Sequence, residues 1–216
     1  MDLINFLNKD RDDILEKLLE KRILYLTGLI DYARYDLRSA EFVRDGILTL
    51  SQKSREPIKL IINSPGGEAI TALTLYDVIQ ISPAPVYTIG LGICASAAAI
   101  LLASGKAGHR YIFPHTKCCL HMMWRVVQEQ RIEADDEEAE KEKEKRDRQL
   151  EVFKKMQEEI ISLIIKHCNK EDTQEVRTRI RKELKSELWL NAEEAVKYGL
   201  VDQIITPTLA EILFYG

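Results

Sequence analysis

The chain has 216 residues, of which 45% are hydrophobic and 31% charged, and its formal net charge is −4. This length suits one sizeable domain with a hydrophobic core, and the charge balance gives no reason to expect nucleic-acid binding. The four cysteines lack the Cys-x-x-Cys spacing of metal sites, so reduced thiols in a cytosol are expected. Residues 1–10 have neither a basic start nor a long apolar stretch, so we expect no signal peptide there.

One apolar segment, residues 86–103, is about long enough to cross a bilayer. It contains Gly90, Gly92 and a run of small residues, and Pro83 and Pro85 lie just before it. A strand, a tight turn and a buried helix explain this composition better than a membrane span does. We therefore expect no membrane-spanning segment.

Strands and helices alternate along the first half of the chain. In chain order, the apolar spacing predicts helix 12–21, strand 23–26, helix 37–50, strand 58–62, a turn over Ser64–Gly67, helix 69–81, strand 86–91 and helix 97–103. Such alternation implies parallel strand pairing with right-handed crossovers. The fold class is therefore expected to be α/β.

The composition changes in the second half of the chain, where residues 128–149 are almost all charged or polar. Spaced pairs such as Glu144 and Arg148 are typical of a solvated helix, and disorder is the alternative. An apolar stripe returns at Leu150, which favours one long helix with an exposed first half and a buried second half.

The remaining patterns predict strands at 111–113, 117–121 and 201–205, a helix at 172–184, and a helix with a capping box at Asn191–Glu194 that ends at Gly199. We see no internal repeat and no linker. We therefore expect a single domain over residues 1–216, with residues 126–168 as an extended, charged handle helix region.

A single serine, Ser96, lies among alanines at the predicted junction of strand and helix. A buried hydroxyl at that junction is costly without a partner, whereas backbone N–H groups near a helix N-terminus can stabilise an oxyanion. The upstream pair Gly66 and Gly67 offers further N–H groups that a substrate could approach closely. This pattern favours Ser96 as a nucleophile.

A serine nucleophile needs a base within hydrogen-bond reach. His109 and His115 follow predicted turns, and His167 lies in the predicted long helix. His121 ends an apolar strand, which is where a sheet presents catalytic side chains. Position alone makes His121 a candidate base and leaves a structural role open.

Four segments of the chain resemble the proteolytic subunit of the Clp ATP-dependent protease (ClpP). They occur in the same order as in that family. They are Asn63–Gly67, Gly90–Ala97, Arg110–Pro114 with Leu120 and His121 downstream, and Ala192–Asp202. The resemblance covers roughly residues 12–125 and 150–206. It implies an α/β fold shared with the crotonases, a spiral of ββα repeats with a protruding helical handle.

The resemblance implies a serine endopeptidase that hydrolyses unfolded polypeptides to short peptides through an acyl-enzyme. Ser96 would be the nucleophile and His121 the general base, and the backbone N–H groups of Gly67 and Ala97 would form the oxyanion hole. Substrate would bind as an added strand along a loop that includes Ser64, Pro65, Gly66 and Glu68.

The chain departs from the family's pattern at two places. The third catalytic position, usually an aspartate, falls on Glu187, and glutamate can also orient a histidine. Asp172, Glu183 and Asp202 are alternatives, and an incomplete triad with Glu187 as a surface acid is another. The family's glycine-rich ring–ring contact after His121 is absent, so the stacking of rings stays open.

The resemblance implies no cofactor and no metal. It implies a cytoplasmic homo-oligomer of heptameric rings, with a AAA+ Clp unfoldase as candidate partner and no nucleic acid or membrane. The competing hypotheses are an inactive or weakly active structural ring component and a phage capsid-maturation protease of the same fold. A crotonase-type acyl-CoA enzyme and a Ser–Lys peptidase using Lys106 or Lys117 are further alternatives.

Overall fold

The computed structural model describes residues 14–33, 35–123 and 136–214. The start of the first predicted helix and residues 126–135 of the predicted handle region lie outside these ranges. The helices are α1 (14–20), α2 (Ala40–Lys53), α3 (Ala69–Ile81), α4 (Ala97–Ala103), α5 (Asp136–His167), α6 (Gln174–Lys185), α7 (Ala192–Tyr198) and α8 (Pro207–Phe214). The strands are β1 (Ile23–Ile30), β2 (Ile58–Gly67), β3 (Val86–Ala95), β4 (Arg110–Ile112), β5 (Lys117–Leu120), β6 (Leu188–Leu190) and β7 (Gln203–Ile204).

The strands in the described part of the chain form one sheet, in the order β1-β2-β3-β4-β7 with parallel pairing throughout. The long strand β3 pairs with β4 along its first half and with β5 near its end. β5 in turn pairs antiparallel with β6. The predicted α/β class is confirmed, and the branch at β3 places β5 beside the end of β3.

Each face of the sheet packs against its own hydrophobic cluster. Successive side chains of a strand point to opposite faces, so neighbouring residues belong to different clusters. Leu60 and Ile62 of β2 pack against the larger core, together with residues of α2, α3 and α4. Ile61 lies on the other face, in a smaller cluster that includes Tyr111 and Leu213 of α8. The larger core therefore supports the strand ends that carry the predicted site.

The predicted turn over Ser64–Gly67 is wrong, because these residues continue β2 and pair with β1 as far as Ile30 and Gly67. The register shifts between Ile62 and Ser64 in the ladder to β3. Gly66 and Gly67 have φ values of 94° and 151°. The proline and glycines resemble a turn in sequence, whereas the ladder holds them as an irregular strand. β3 is likewise longer than predicted and runs directly to Ala95.

Helix α5 has an exposed, charged segment around residues 143–149 and a second half in which Ile161 and Ile164 are buried. This agrees with the predicted long helix over residues 136–167, while residues 128–135 of the predicted helix lie outside the described ranges. The capping box of Asn191 and Glu194 is present, and Gly199 ends α7 with a φ of 89°. β6 and α8 were not predicted, because three residues and a short C-terminal pattern carry little periodicity.

None of the helices within the described ranges combines the length and the apolar composition that a membrane crossing requires. Residues 86–103 form β3 and α4 instead. The single-domain organisation of residues 1–216 stays a prediction.

Candidate active site

Ser96 lies at the corner between β3 and α4, with φ 56° and ψ −128°. A positive φ is rare for a residue other than glycine, and such strained backbone is common at nucleophile turns between a strand and a helix. The Ser96 N–H donates to the Cys119 carbonyl at 2.7 Å, and the Ser96 carbonyl accepts from the Ala99 N–H at 3.0 Å. These bonds hold the corner to β5 and to the first turn of α4.

Gly66 lies directly against this corner. A Cβ at Gly66 would be 2.6 Å from the Ser96 Cβ, 2.6 Å from the Ala95 oxygen and 3.1 Å from the Ala97 nitrogen. The φ of 94° is a further reason for glycine at this position. The end of β2 therefore touches the serine corner and the start of α4 without space for a side chain.

Ser64 has a different position from the one expected for a substrate contact. Its side chain is fully buried, donates to the Gly28 carbonyl at 2.5 Å and accepts from the Gly66 N–H at 3.0 Å. The Ser64 hydroxyl thus links β2 to β1 and forms a hydrogen bond with the backbone of Gly66. Contact between substrate and Ser64 stays a prediction.

His121 follows β5 and is half-buried. Its Nδ1 is 2.6 Å from the Met122 carbonyl oxygen. A carbonyl can only accept, so we assign a proton to Nδ1, and Nε2 is then the nitrogen that can act as a base. The segment is held further by bonds from the Met122 N–H to the Leu184 carbonyl (3.1 Å) and from the Met123 N–H to Gln157 Oε1 (2.8 Å). This is the tautomer that a general base requires.

Glu187 is exposed and has a φ of 53°. The β5–β6 ladder ends at Leu120 opposite Leu188, so Glu187 and His121 are the next residues beyond it. Burial, and then the charge of Glu187, raises the pKa of the Cys119 thiol to about 11. Within the described residues, no hydrogen bond or ion pair joins Glu187 to His121. The role of Glu187 stays a prediction.

Each of the three alternative carboxylates is engaged elsewhere. Asp202 pairs with the Arg110 guanidinium at 2.5 Å, and Asp172 pairs with Arg177 at 2.7 Å. Glu183 accepts a hydrogen bond from the Tyr198 hydroxyl at 2.9 Å. Burial alone would raise the pKa of Asp202, but its hydrogen bonds from Arg110 lower that pKa overall. These contacts leave all three acids as weaker candidates than Glu187 for the position beside His121.

A cavity of about 590 Å³ brings most of the predicted site together. Its lining includes Ser96, Ala97, His121 and the strand end Pro65–Glu68, but neither Ser64 nor Glu187. The rest of the lining is mostly apolar and comes largely from α3, α4 and α5. The cavity therefore places a serine hydroxyl, an imidazole and close-approach backbone beside a large apolar surface.

The α5 wall is the part of the site that sequence reasoning missed. Phe153, Met156 and Ile160 line the cavity from a helix far along the chain. The apolar stripe beginning at Leu150 was the available signal, but a stripe does not show which surface it packs against. Tyr76 of α3 also lines the cavity, and no sequence pattern singled it out.

The described part of the chain contains no group of three or more His, Cys, Asp or Glu side chains suited to a metal. The polar groups around the cavity include the Ser96 hydroxyl, the His121 imidazole and backbone amides. Such a set is suited to nucleophilic acyl transfer, in which a base activates a hydroxyl and N–H groups stabilise an oxyanion.

Comparison with known proteins agrees with this geometry. The family model for Clp protease matches residues 8–208. The chain is 33% identical to ATP-dependent Clp protease proteolytic subunit 2 of Thermobifida fusca (strain YX) over 198 residues, 89% of this chain and 85% of that protein. It is 32% identical to the ATP-dependent Clp protease proteolytic subunit of Carsonella ruddii (strain PV), covering 89% and 88%. The chain therefore belongs to the Clp protease family.

Proposed function

We propose that this chain is a serine endopeptidase that hydrolyses unfolded polypeptides to short peptides through an acyl-enzyme. The observation that carries the proposal is that Ser96, on a strained strand–helix corner, lines one cavity with His121 in a member of the Clp protease family. Family membership makes the chain a Clp-type peptidase. The serine mechanism and the role of each residue are our proposal.

In this mechanism the Ser96 Oγ attacks the carbonyl carbon of the scissile peptide bond, and His121 Nε2 takes its proton. The tetrahedral intermediate collapses as His121 gives that proton to the leaving amine, which breaks the C–N bond and leaves an ester on Ser96. Water then attacks the ester with His121 again as base, and a carboxylic acid and free Ser96 result.

The negative oxygen of each tetrahedral intermediate would be stabilised by the backbone N–H groups of Gly67 and Ala97. The contact of Gly66 with the Ala95–Ala97 corner supports this arrangement, because it brings the end of β2 and the start of α4 together. A positioned donor of this kind contributes on the order of 3 kcal/mol to transition-state stabilisation.

His121 needs a group that fixes its ring. The Met122 carbonyl, 2.6 Å from Nδ1, supports this function in the present arrangement. We propose Glu187 as the third member that stabilises the imidazolium, since it occupies the next position across the end of the β5–β6 ladder. A Ser-His-Glu triad then requires the His121 Nδ1–H to turn from the Met122 carbonyl to the Glu187 carboxylate.

The substrate backbone would lie as an added strand along Ser64–Glu68, a mode of recognition that is largely independent of sequence. The names of the relatives, ATP-dependent proteolytic subunits, support an oligomeric assembly that works with a Clp chaperone. We propose a cytoplasmic homo-oligomer of heptameric rings fed by a AAA+ Clp unfoldase, with the active sites inside the chamber.

Hydrolysis of fluorogenic peptides by the purified oligomer tests this function. Ser96→Ala and His121→Ala should each lower turnover at least about a thousandfold with the native mass unchanged. Ser82→Ala, which removes a hydroxyl bonded to the Ala84 carbonyl outside the cavity, should behave as wild type. Full turnover by Ser96→Ala would overturn the assignment. An assembled wild type without turnover would favour the structural ring component.

A further inference from the structure

Glu68 lines the active-site cavity, and the proposed function uses its backbone but gives its side chain no role. It follows Gly67 directly and precedes the first residue of α3. Among the described residues that line the cavity, it supplies the sole carboxylate in a largely apolar surface. A charge on this lining acts on any charged group that a substrate brings into the cavity.

The position of Glu68 is fixed at both the backbone and the side chain. Its N–H donates to the Ile30 carbonyl at 2.7 Å, and its Oε2 accepts a hydrogen bond from the Thr71 hydroxyl. Thr71 is buried, so this hydroxyl is itself held in place. The carboxylate is therefore oriented before any substrate arrives, which lowers the entropy cost of an ion pair with a ligand.

The hydrogen bond from Thr71 gives a structural role to only one of the two carboxylate oxygens of Glu68. Glu68 is the N-cap residue of α3, but its side chain accepts no hydrogen bond from the helix N–H groups. Within the described ranges it forms no ion pair with Lys, Arg or His, unlike Glu158, which binds Arg181 at 2.6 Å. Within the described residues, the Glu68 carboxylate therefore neither caps α3 nor forms an ion pair.

We propose that Glu68 is a specificity-determining residue that selects polypeptides carrying Lys or Arg beside the scissile bond. This inference rests on the proposed function and deepens it. The apolar wall would take an apolar side chain, while Glu68 at the end of the substrate-binding strand pairs with a neighbouring cationic side chain. An acidic side chain at the same place meets like-charge repulsion.

Glu68 also has an effect on neutral substrates. It is adjacent to Gly67, whose N–H is proposed to stabilise the oxyanion, so its negative charge opposes the charge that develops in the transition state. Removal of the charge should therefore slow cleavage of basic peptides and slightly accelerate cleavage of neutral and acidic ones. This opposite response distinguishes specificity from a loss of fold.

The test measures kcat/KM for fluorogenic peptides with one apolar residue at the scissile bond and Lys, Gln or Glu placed in turn at each flanking position. The enzymes are wild type, Glu68→Gln, which keeps an acceptor for Thr71, and Glu56→Gln, which removes an exposed charge outside the cavity. At the position that reaches Glu68, wild type should prefer Lys over Glu. Glu68→Gln should reduce this preference about three- to fivefold, the size of a partly exposed ion pair, and Glu56→Gln should retain it.

Equal preference for Lys and Glu peptides in wild type would overturn the inference while leaving the proposed function intact. An unchanged preference in Glu68→Gln, or an equal loss for all peptides, would also overturn it, the latter by showing a structural role. If wild type cleaves none of the peptides and Ser96 is unreactive towards a fluorophosphonate, the proposed function itself fails.

Discussion

The Ser96 N–H and the Cys119 carbonyl are joined by a hydrogen bond of 2.7 Å. Since Cys119 lies two residues before His121, this bond fixes the end of β3 to the strand that carries the proposed base. The β3–β5 ladder continues the connection through Ala95 opposite Cys119. The relative position of nucleophile and base is thus determined by paired strands, which hold side chains more rigidly than loops do.

Gly66→Ala should lower turnover about a hundredfold. The added Cβ would lie 2.6 Å from the Ser96 Cβ and from the Ala95 oxygen, so the serine corner must shift. A displacement near 1 Å at a reacting group costs about a hundredfold in rate. The measurement is kcat/KM for a fluorogenic peptide, with circular dichroism to establish that the variant is folded.

Gly108→Ala is the matched control for Gly66→Ala. Gly108 also has a positive φ, 83°, but a Cβ there would meet nothing within 4 Å. It should therefore lower the free energy of unfolding by about 1 kcal/mol through backbone strain and leave turnover unchanged. Equal turnover in both alanine variants would contradict the proposed role of the close approach at Gly66.

Gln157→Met should lower kcat without unfolding the protein. Gln157 is buried, its Oε1 accepts from the Met123 N–H at 2.8 Å, and its Nε2 has no acceptor in the described structure. Methionine removes the bond that holds the His121–Met123 segment, and also the unsatisfied donor, so the stability changes largely offset. We expect about a tenfold lower kcat with little change in KM.

Glu159→Met on the exposed side of the same helix is the control for this variant. It adds the same side chain to α5 and should keep wild-type kcat. If Gln157→Met turned over peptide at the wild-type rate, the hydrogen bond to Met123 would have no part in positioning His121.

Much of the fold follows from the sequence because apolar periodicity reports burial directly. Helix α3 at 69–81 and the capped helix α7 lie where the patterns place them. The strand ends were harder to predict, because Pro65, Gly66 and Gly67 have turn propensities that the ladder to β1 overrides. Strand β6 has three residues and depends on pairing with β5, which no local pattern shows.

In the candidate site too, features visible within one segment were predicted, whereas contacts between distant segments were not. Ser96 and His121 stood out as local exceptions in apolar segments, and both line the cavity. The contacts of Ser64 with Gly28 and of Gln157 with Met123 join residues 36 and 34 positions apart. A single sequence does not show such pairings, so the supporting bonds of the site became visible only in the structure.

Asp202→Asn should destabilise the fold strongly. Arg110 is 4% exposed, and it binds Asp202 as well as the carbonyls of His167 (2.6 Å) and Gly199 (3.2 Å). Without the carboxylate its buried charge loses its counter-ion, which costs about 3–5 kcal/mol. Urea unfolding at pH 7 measures the effect. Asp172→Asn, at an exposed pair with Arg177, should change the midpoint little.

The same variant tests Asp202 as an alternative third catalytic residue. At urea concentrations below its unfolding midpoint, Asp202→Asn should react with a fluorophosphonate as fast as wild type does. A folded variant whose serine no longer reacts would show that Asp202, rather than Glu187, supports His121.

Stability should fall as the pH is lowered from about 6.5 towards 4, because His167 stays neutral in the folded chain. Burial, and then the charges of Lys166 and Arg110, lowers the pKa of His167 from its ordinary value of 6.5 to about 4. Between these values the unfolded chain binds a proton that the folded chain does not, so unfolding is favoured. We expect a loss of about 2 kcal/mol, since partial solvent contact reduces the full linkage value.

His167→Gln should flatten this pH dependence, as measured by urea unfolding between pH 7 and pH 4. In wild type the Tyr76 hydroxyl is 2.9 Å from His167 Nε2, and the glutamine amide can still form a hydrogen bond with that hydroxyl. His115→Gln, at an exposed turn, should keep the wild-type slope. An unchanged slope in His167→Gln would assign the pH dependence to other groups.

Ser96 is an activated nucleophile in the proposed mechanism, and labelling with a fluorophosphonate probe reports on that reactivity without a peptide substrate. Wild type, Ser96→Ala and Glu187→Ala would be labelled at matched native mass, with the modified residue located by peptide mass spectrometry. We predict a single adduct at Ser96 in wild type, none in Ser96→Ala, and slower labelling in Glu187→Ala. Labelling at another serine, or none in an assembled wild type, would contradict the account.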